Sequence, residues 1–217
     1  MRLSTIEFGS LLSYTPRGNS DTQYRSKNVM RAIKNDEYVQ VGSDQILMSD
    51  YIPDLLKRDI AKLPFANYFE VNPILVPTPN SSLNKSGTLW VPQRLASALV
   101  RKGLGKKVIE CLSRDTPLPK SATSFAENRP KAADHYDSIK VEKTLHEPDE
   151  ILLVDDVITR GATLLGAANK LADAFPNARI RAFTAMRTIS NSKEFTKIID
   201  PCMGTITLIG SDTFRSP

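Results

Sequence analysis

The sequence predicts an α/β domain with a mainly parallel central sheet flanked by helices. Three observations carry that expectation. Glu150 to Asp156 contains the run Ile151-Leu152-Leu153-Val154, apolar without alternation, as in a strand buried on both faces of a helix-covered sheet. Thr163 to Phe175 follows, with Leu164, Leu165, Ala168, Leu171, Ala172 and Phe175 spaced to line one helical face. Strand and helix signals then alternate over much of the chain, the order that builds parallel sheets.

Element by element, residues 1–45 read poorly as regular structure. Tyr14 to Ser20 is turn chemistry, and Ser26 to Lys34 is a short amphipathic helix with Val29 and Ile33 inward. Tyr51 to Leu63 repeats apolar residues at helical spacing, and Pro64 stops it. Ile74 to Pro77, an apolar run between prolines, predicts a buried strand opening into the loop Asn80 to Thr88. Gln93 to Arg101 predicts a helix facing the sheet, and Lys107 to Leu112 a second strand. Arg114 to Lys131, with three prolines, predicts a long polar loop; such loops in compact domains usually carry function or are disordered. After the central strand and its helix come strands over Arg179 to Met186 and Ile206 to Ile209.

The 217 residues suit one domain, and a 41% hydrophobic content excludes wholesale disorder. No apolar run is long enough to span a bilayer and no signal pattern opens the chain, so the expectation is a cytoplasmic protein without a membrane partner. Two cysteines, Cys111 and Cys202, exclude a disulfide framework and a Cys-rich zinc site, and Cys111 reads as a small core hydrophobe. His135 and His146 lack neighbours at ligand spacing and read as surface or loop residues, so no protein-held metal is expected. The net charge of +5 lies mostly in 101–146, with ten Lys/Arg against six Asp/Glu. That stretch leaves nucleic acid open as a partner, but no aromatic residues interleave with the basic ones as a stacking groove requires. Trp90 reads as packing against the sheet edge. Arg187, at its strand's end, faces either the cleft of Asp155 or away from it.

The chemistry concentrates in Val154-Asp155-Asp156-Val157-Ile158-Thr159-Arg160-Gly161-Ala162-Thr163, at the carboxyl end of the central strand, where open α/β sheets bind ligands. Two adjacent carboxylates can accept hydrogen bonds from vicinal hydroxyls. The following turn offers backbone N–H groups, two hydroxyls and a glycine. It opens a helix whose N-terminus favours phosphate. A diol grip followed by an anion nest describes a ribose 5-phosphate site. Helix capping alone needs only one acidic or hydroxyl residue.

The run ILLVDDVITRGAT resembles the phosphoribosyl-pyrophosphate (PRPP) motif of type I phosphoribosyltransferases, and the wider chain resembles the competence protein F (ComF-like) branch. Ile74 to Pro79, Gly87 and Leu95-Ala96 match that branch, Lys27 to Lys34 is similar to its early lysine helix, and Arg114, Thr116, Arg129 and Tyr136 to Ile139 are similar to its middle region. The likeness is tight over 150–188 and loose over 25–145. The chain lacks the branch's four-cysteine zinc module, has Ser86-Gly87-Thr88-Leu89 where the branch has an arginine-glycine-phenylalanine-asparagine run, and has Arg160 where a second threonine is usual.

The resemblance implies one type I phosphoribosyltransferase domain over 1–217, with a small N-terminal hood (1–70) and a PRPP-binding core (71–217). By the same implication, Asp155 and Asp156 hold the ribose hydroxyls. Thr159, Arg160, Gly161, Ala162 and Thr163 hold the 5-phosphate. The loop Thr78, Pro79, Asn80, Ser81 and Ser82 contacts the pyrophosphate, with Mg²⁺ bridging its oxygens. Lys120 and Arg129 on the long loop are the catalytic candidates, closing as cations over the leaving group. The implied activity is phosphoribosyl transfer from PRPP to an acceptor the sequence does not identify, and many such enzymes are homodimers. Competing expectations are a non-catalytic PRPP- or nucleotide-binding regulator, and a ComF-like accessory factor in DNA uptake or processing or in a mobile-element or phage-defence system.

Overall fold

The structure, a computed structural model, describes residues 1–83, 87–119, 129–142 and 147–217. Its main sheet has seven strands in the order β11-β10-β1-β9-β8-β4-β5. These are β1 (Thr5–Tyr14), β4 (Ile74–Pro77), β5 (Lys107–Val108), β8 (Glu150–Ile158), β9 (Arg179–Thr188), β10 (Ile199–Ile209) and β11 (Asp212–Ser216). β5, β4, β8, β9 and β1 run parallel, whereas β10 is antiparallel to β1, and β11 to β10. Two further antiparallel pairs, β2 (Tyr38–Val41) with β3 (Asp44–Leu47) and β6 (Leu112–Arg114) with β7 (Ile139–Val141), form separate two-stranded sheets.

The expected mixed α/β architecture, with a mainly parallel central sheet flanked by helices, is the observed one. On one face lie α1 (Asp21–Asn35), α2 (Met48–Asp59) and α4 (Val91–Arg101), on the other α5 (Ala132–Ser138) and α6 (Ala162–Ala174), while the short α3 (Asn67–Glu70) carries Tyr68 and Phe69 into the first core. The apolar run of β8 divides between the two layers. Leu152 and Val154 join Leu56, Leu95, Leu99 and Phe183, whereas Ile151 and Leu153 join Leu164, Leu165, Leu171 and Ile139. That two-sided burial is why the run shows no alternation.

Several expectations are corrected. Residues 5–14, read as irregular, form a ten-residue strand between β9 and β10. Its pattern is masked by Gly9, Ser10 and Ser13, the two serines being fully buried with their hydroxyls on Leu12 O and Lys197 O. Helix α1 begins at Asp21, not Ser26, because Ser20 and Gln23 form a reciprocal capping box. Helix α2 starts at Met48 and runs through Pro53. The strand expected over Lys107 to Leu112 divides: only 107–108 joins the main sheet, and Leu112 opens β6. The last expected strand is much longer, spanning 199–209 and followed by β11. The long polar loop ends in α5, and Lys120, Ser86 and His146 lie outside the described residues.

Candidate active site

The carboxyl ends of the parallel strands bring two loops together. Ladder pairing continues past β4, since Thr78 N donates to Val154 O at 2.9 Å. This seats Thr78, 1% exposed, beside Asp155, and its hydroxyl donates to Asp155 Oδ1 at 2.8 Å. Trp90, at the start of α4, donates its indole N–H to Thr78 O at 2.7 Å. Trp90 therefore ties this loop to the start of α4. Asn80 Nδ2 donates to Leu89 O, Asn80 O accepts from Arg114 Nε at 2.7 Å, and Ser81 O accepts from Leu118 N at 3.0 Å. Pro79 is buried, Ser82 exposed.

Strand β8 does not end at the acidic pair. Asp155 pairs with Thr184, Val157 with Met186 and Ile158 with Arg187 on β9, so both carboxylates belong to the strand. They meet different elements. Asp155 takes the Thr78 hydroxyl and the N–H of Asp156, whereas Asp156 accepts from Lys34 of α1, with Nζ 3.2 Å from Oδ2. Desolvation and the Asp156 charge push the Asp155 carboxyl up to about 7, against the opposing Thr78 hydrogen bond and Lys34 charge. Burial opposes the Lys34 charge, but Asp156 and Asp155 outweigh it and raise the ammonium's pKa. Thr184, fully buried and in register with Asp155, has no hydrogen-bond partner for its hydroxyl among the described residues.

Three residues, Thr159, Arg160 and Gly161, connect β8 to α6. Gly161 has φ +86°, the left-handed region that a side chain disfavours, and a Cβ there would stand 2.7 Å from Ile206. The turn places the first N–H groups of α6, those of Ala162 and Thr163 among them, at the sheet's carboxyl edge without intrahelical acceptors. Thr159 Oγ1 lies 3.4 Å from Thr188 Oγ1, and Thr159 O accepts from Arg215 of β11. The Arg160 side chain is paired with Asp212 of β11 at 2.8 Å. Lys131 donates to Ser211, next to Asp212, at 2.7 Å, so the described end of the long loop, two residues beyond Arg129, reaches the connection between β10 and β11.

The structure thus assembles Thr78 to Ser82, Asp155, Asp156 and Thr159 to Thr163 along one edge. Lys120 lies outside the described residues. Arg187 turns away from Asp155, its guanidinium 2.5 Å from Asp200 Oδ2. Cys111 is a buried core residue. His135 corrects the sequence reading: it is 4% exposed, wedged between Arg114 and Thr163. Nothing in the local pattern of Ala132 to Ser138 signals that burial, which depends on Arg114 from β6 and on α6. A groove of about 210 Å³ between Leu11, Leu55, Leu63 and Ile199 lies away from these residues. Among the described residues no cluster of three His, Cys, Asp or Glu side chains could hold a metal, and no helix is long and apolar enough to cross a membrane.

No protein family and no curated protein matches the sequence. Solved structures similar to this chain include a hypoxanthine phosphoribosyltransferase from Staphylococcus aureus, 12% identical over 73% of this chain and 81% of that one, with a TM-score of 0.35. An adenine phosphoribosyltransferase from Leishmania tarentolae is 12% identical over 81% and 91%, with a TM-score of 0.34. Another from Trypanosoma brucei, in complex with AMP, pyrophosphate and ribose-5-phosphate, is 13% identical over 83% and 86%, with a TM-score of 0.35. At these scores the likeness transfers no residue's role to this chain.

Proposed function

We propose that this chain is a phosphoribosyltransferase-like protein that binds PRPP with Mg²⁺ through Val154 to Thr163 and transfers its phosphoribosyl group to an acceptor. One observation carries the reading. A carboxylate held by Thr78 from the loop after β4 stands four residues before the turn that opens α6, at the carboxyl edge of parallel strands. In this reading Asp155 and Asp156 accept from the ribose hydroxyls, and Asp156 exchanges part of its Lys34 contact for the sugar. The turn from Thr159 to Thr163 takes the 5-phosphate, and Thr78 to Ser82 face the pyrophosphate.

Mg²⁺ fits this donor set only as a substrate-borne ion. Among the described residues two neighbouring carboxylates stand without a third His, Cys, Asp or Glu beside them, which matches a cation that keeps its waters and binds mainly phosphate oxygens. It would supply charge neutralisation on the pyrophosphate. The protein's own part is positioning: the anomeric C–O bond breaks, pyrophosphate departs, and the acceptor bonds to the same carbon. Arg129, with Lys120, is the candidate cation over the leaving group.

Calorimetric titration of PRPP with Mg²⁺ tests the reading. Wild type should bind, and Asp155→Asn/Asp156→Asn should weaken binding roughly 100-fold, two charge-assisted hydrogen bonds of ~1.5 kcal/mol each. A folded wild type that does not bind, or a double variant that binds as well, overturns it.

A further inference from the structure

Helix α5 lies against α6 with no room for a side chain at Gly166, where a Cβ would come within 2.7 Å of Ala132 O and of His135 Cβ. This close approach buries His135 beneath the first turn of α6. On its other side is Arg114, 6% exposed. Arg114 is hydrogen-bonded at all three nitrogens. Nε donates to Asn80 O at 2.7 Å, Nη1 donates to Ser138 Oγ at 2.5 Å, and Nη2 lies 3.3 Å from His135 Nδ1.

A guanidinium only donates, so His135 Nδ1 must accept. Burial first, and the adjacent Arg114 charge second, lower the His135 pKa to about 4 against the opposing pull of Asp134, so the ring is neutral at physiological pH. A neutral imidazole that accepts at Nδ1 carries its proton on Nε2. Nε2 lies 3.3 Å from Thr163 Oγ1. The Nε2–H therefore donates to the Thr163 hydroxyl, and the hydroxyl's own proton points elsewhere. Thr163 is half-buried at the second position of α6, beside the orphan N–H groups of the helix.

The charge balance points the same way. Among the described residues no carboxylate pairs with Arg114. Burial lowers its pKa to about 10, which leaves it charged, with Asp155 the acidic group it senses. A buried cation without an ionic partner is costly and is relieved by an anion nearby.

We propose that His135 is a positioning residue: held by Arg114, it turns the Thr163 hydroxyl into a dedicated donor to the phosphate of a ribose phosphate at the N-terminus of α6. Through Asn80 O the same arginine fixes the loop that faces the pyrophosphate, so one buried cation sets both anion-facing loops. This inference rests on the ribose-phosphate reading of the site.

The probe is ribose 5-phosphate, titrated calorimetrically into wild type, His135→Phe, His135→Gln, Thr163→Val and Thr163→Val/His135→Phe, with a melting curve for each. His135→Phe, which keeps the bulk and removes the relay, should weaken binding about tenfold. His135→Gln offers an oxygen to Arg114 and an N–H to Thr163, and should bind within about twofold of wild type. In the Thr163→Val background His135→Phe should change affinity no further, although it still lowers the melting temperature. A purely structural histidine would instead weaken binding equally in both backgrounds, and that result overturns the relay. Nitrogen NMR of the imidazole is the second readout, expected to give an unprotonated Nδ1 and a protonated Nε2; the opposite tautomer also overturns it. If wild type binds no ribose 5-phosphate, the ribose-phosphate reading falls and the relay's role falls with it. If wild type binds and His135→Phe binds as well, the relay alone falls.

Discussion

Asp155 and Asp156 are adjacent and chemically identical, yet their surroundings set them apart. Asp156 is answered by the Lys34 ammonium, whereas Asp155 is answered by a neutral hydroxyl and a backbone N–H, with a carboxylate as its neighbour. Desolvation and that repulsion raise the Asp155 pKa to about 7. An acid with a higher pKa in the folded chain than in the unfolded one binds its proton more tightly when folded. Its contribution to stability is therefore fullest below the ordinary carboxylate range and is lost as pH rises through the folded value. Asp155→Asn keeps the shape and the acceptor for Thr78 but cannot ionise. Its melting temperature relative to wild type should therefore rise between about pH 5 and about pH 8.5, by roughly 3 °C or more, because wild type goes on losing stability until pH passes the folded value. A gap that stays constant between those two values would contradict the raised pKa. A gain in stability at a residue proposed to bind ligand is the usual sign of a site built against the fold's own preference.

Between β8 and α6 the decisive element is a three-residue turn. Gly161→Ala should destabilise by roughly 1–3 kcal/mol from backbone strain alone, with more from contact with Ile206. Gly42 is the control: φ is +62° there, but a Cβ would meet nothing within 4 Å. Urea unfolding of both alanine variants separates the two effects, and equal losses would mean that Ile206 yields freely. This turn was legible in the sequence because it joins a continuous apolar run to a helical face. Strand β8 was legible from Glu150 to Asp156, but its last two residues were not, because it is pairing with Met186 and Arg187 of β9 that holds Val157 and Ile158 in the sheet. Strand β1 was hidden for a related reason: Ser10 and Ser13 are buried by satisfying their hydroxyls on backbone carbonyls, which breaks the apolar pattern. The start of α1 was present in the sequence as Ser20 and Gln23, a signal that hydrophobic spacing passes over. His135 was least legible, since its burial is created by Arg114 and Thr163 from distant segments.

At the scale of the molecule, two features bear on function and assembly. The basic excess of 101–146 is partly answered from outside the stretch, since Arg101 pairs with Asp50 and Lys102 with Asp54, while Arg114 is buried. Those pairs weaken the case for this stretch as a nucleic-acid surface. The second feature is that the parallel sheet draws a central strand from the chain's first residues. β1 lies between β9 and β10, so it alone links the parallel strands to the antiparallel pair β10 and β11. Phe8, Leu11 and Leu12 are buried, Leu11 and Leu12 in the core under α1 and α2 and Phe8 in the core under α6. Strand β1, within the 1–70 expected as an N-terminal hood, is a member of the main sheet. Removing residues 1–16 would open the ladders of β9 and β10 and uncover apolar surface on both faces at once. We expect the truncated chain to lose its cooperative thermal transition and much of its regular far-ultraviolet dichroism. A truncated chain that still melts cooperatively would mean that β9 and β10 close on each other directly, and that the ribose-phosphate edge stands on β4, β8 and β9 without support from β1.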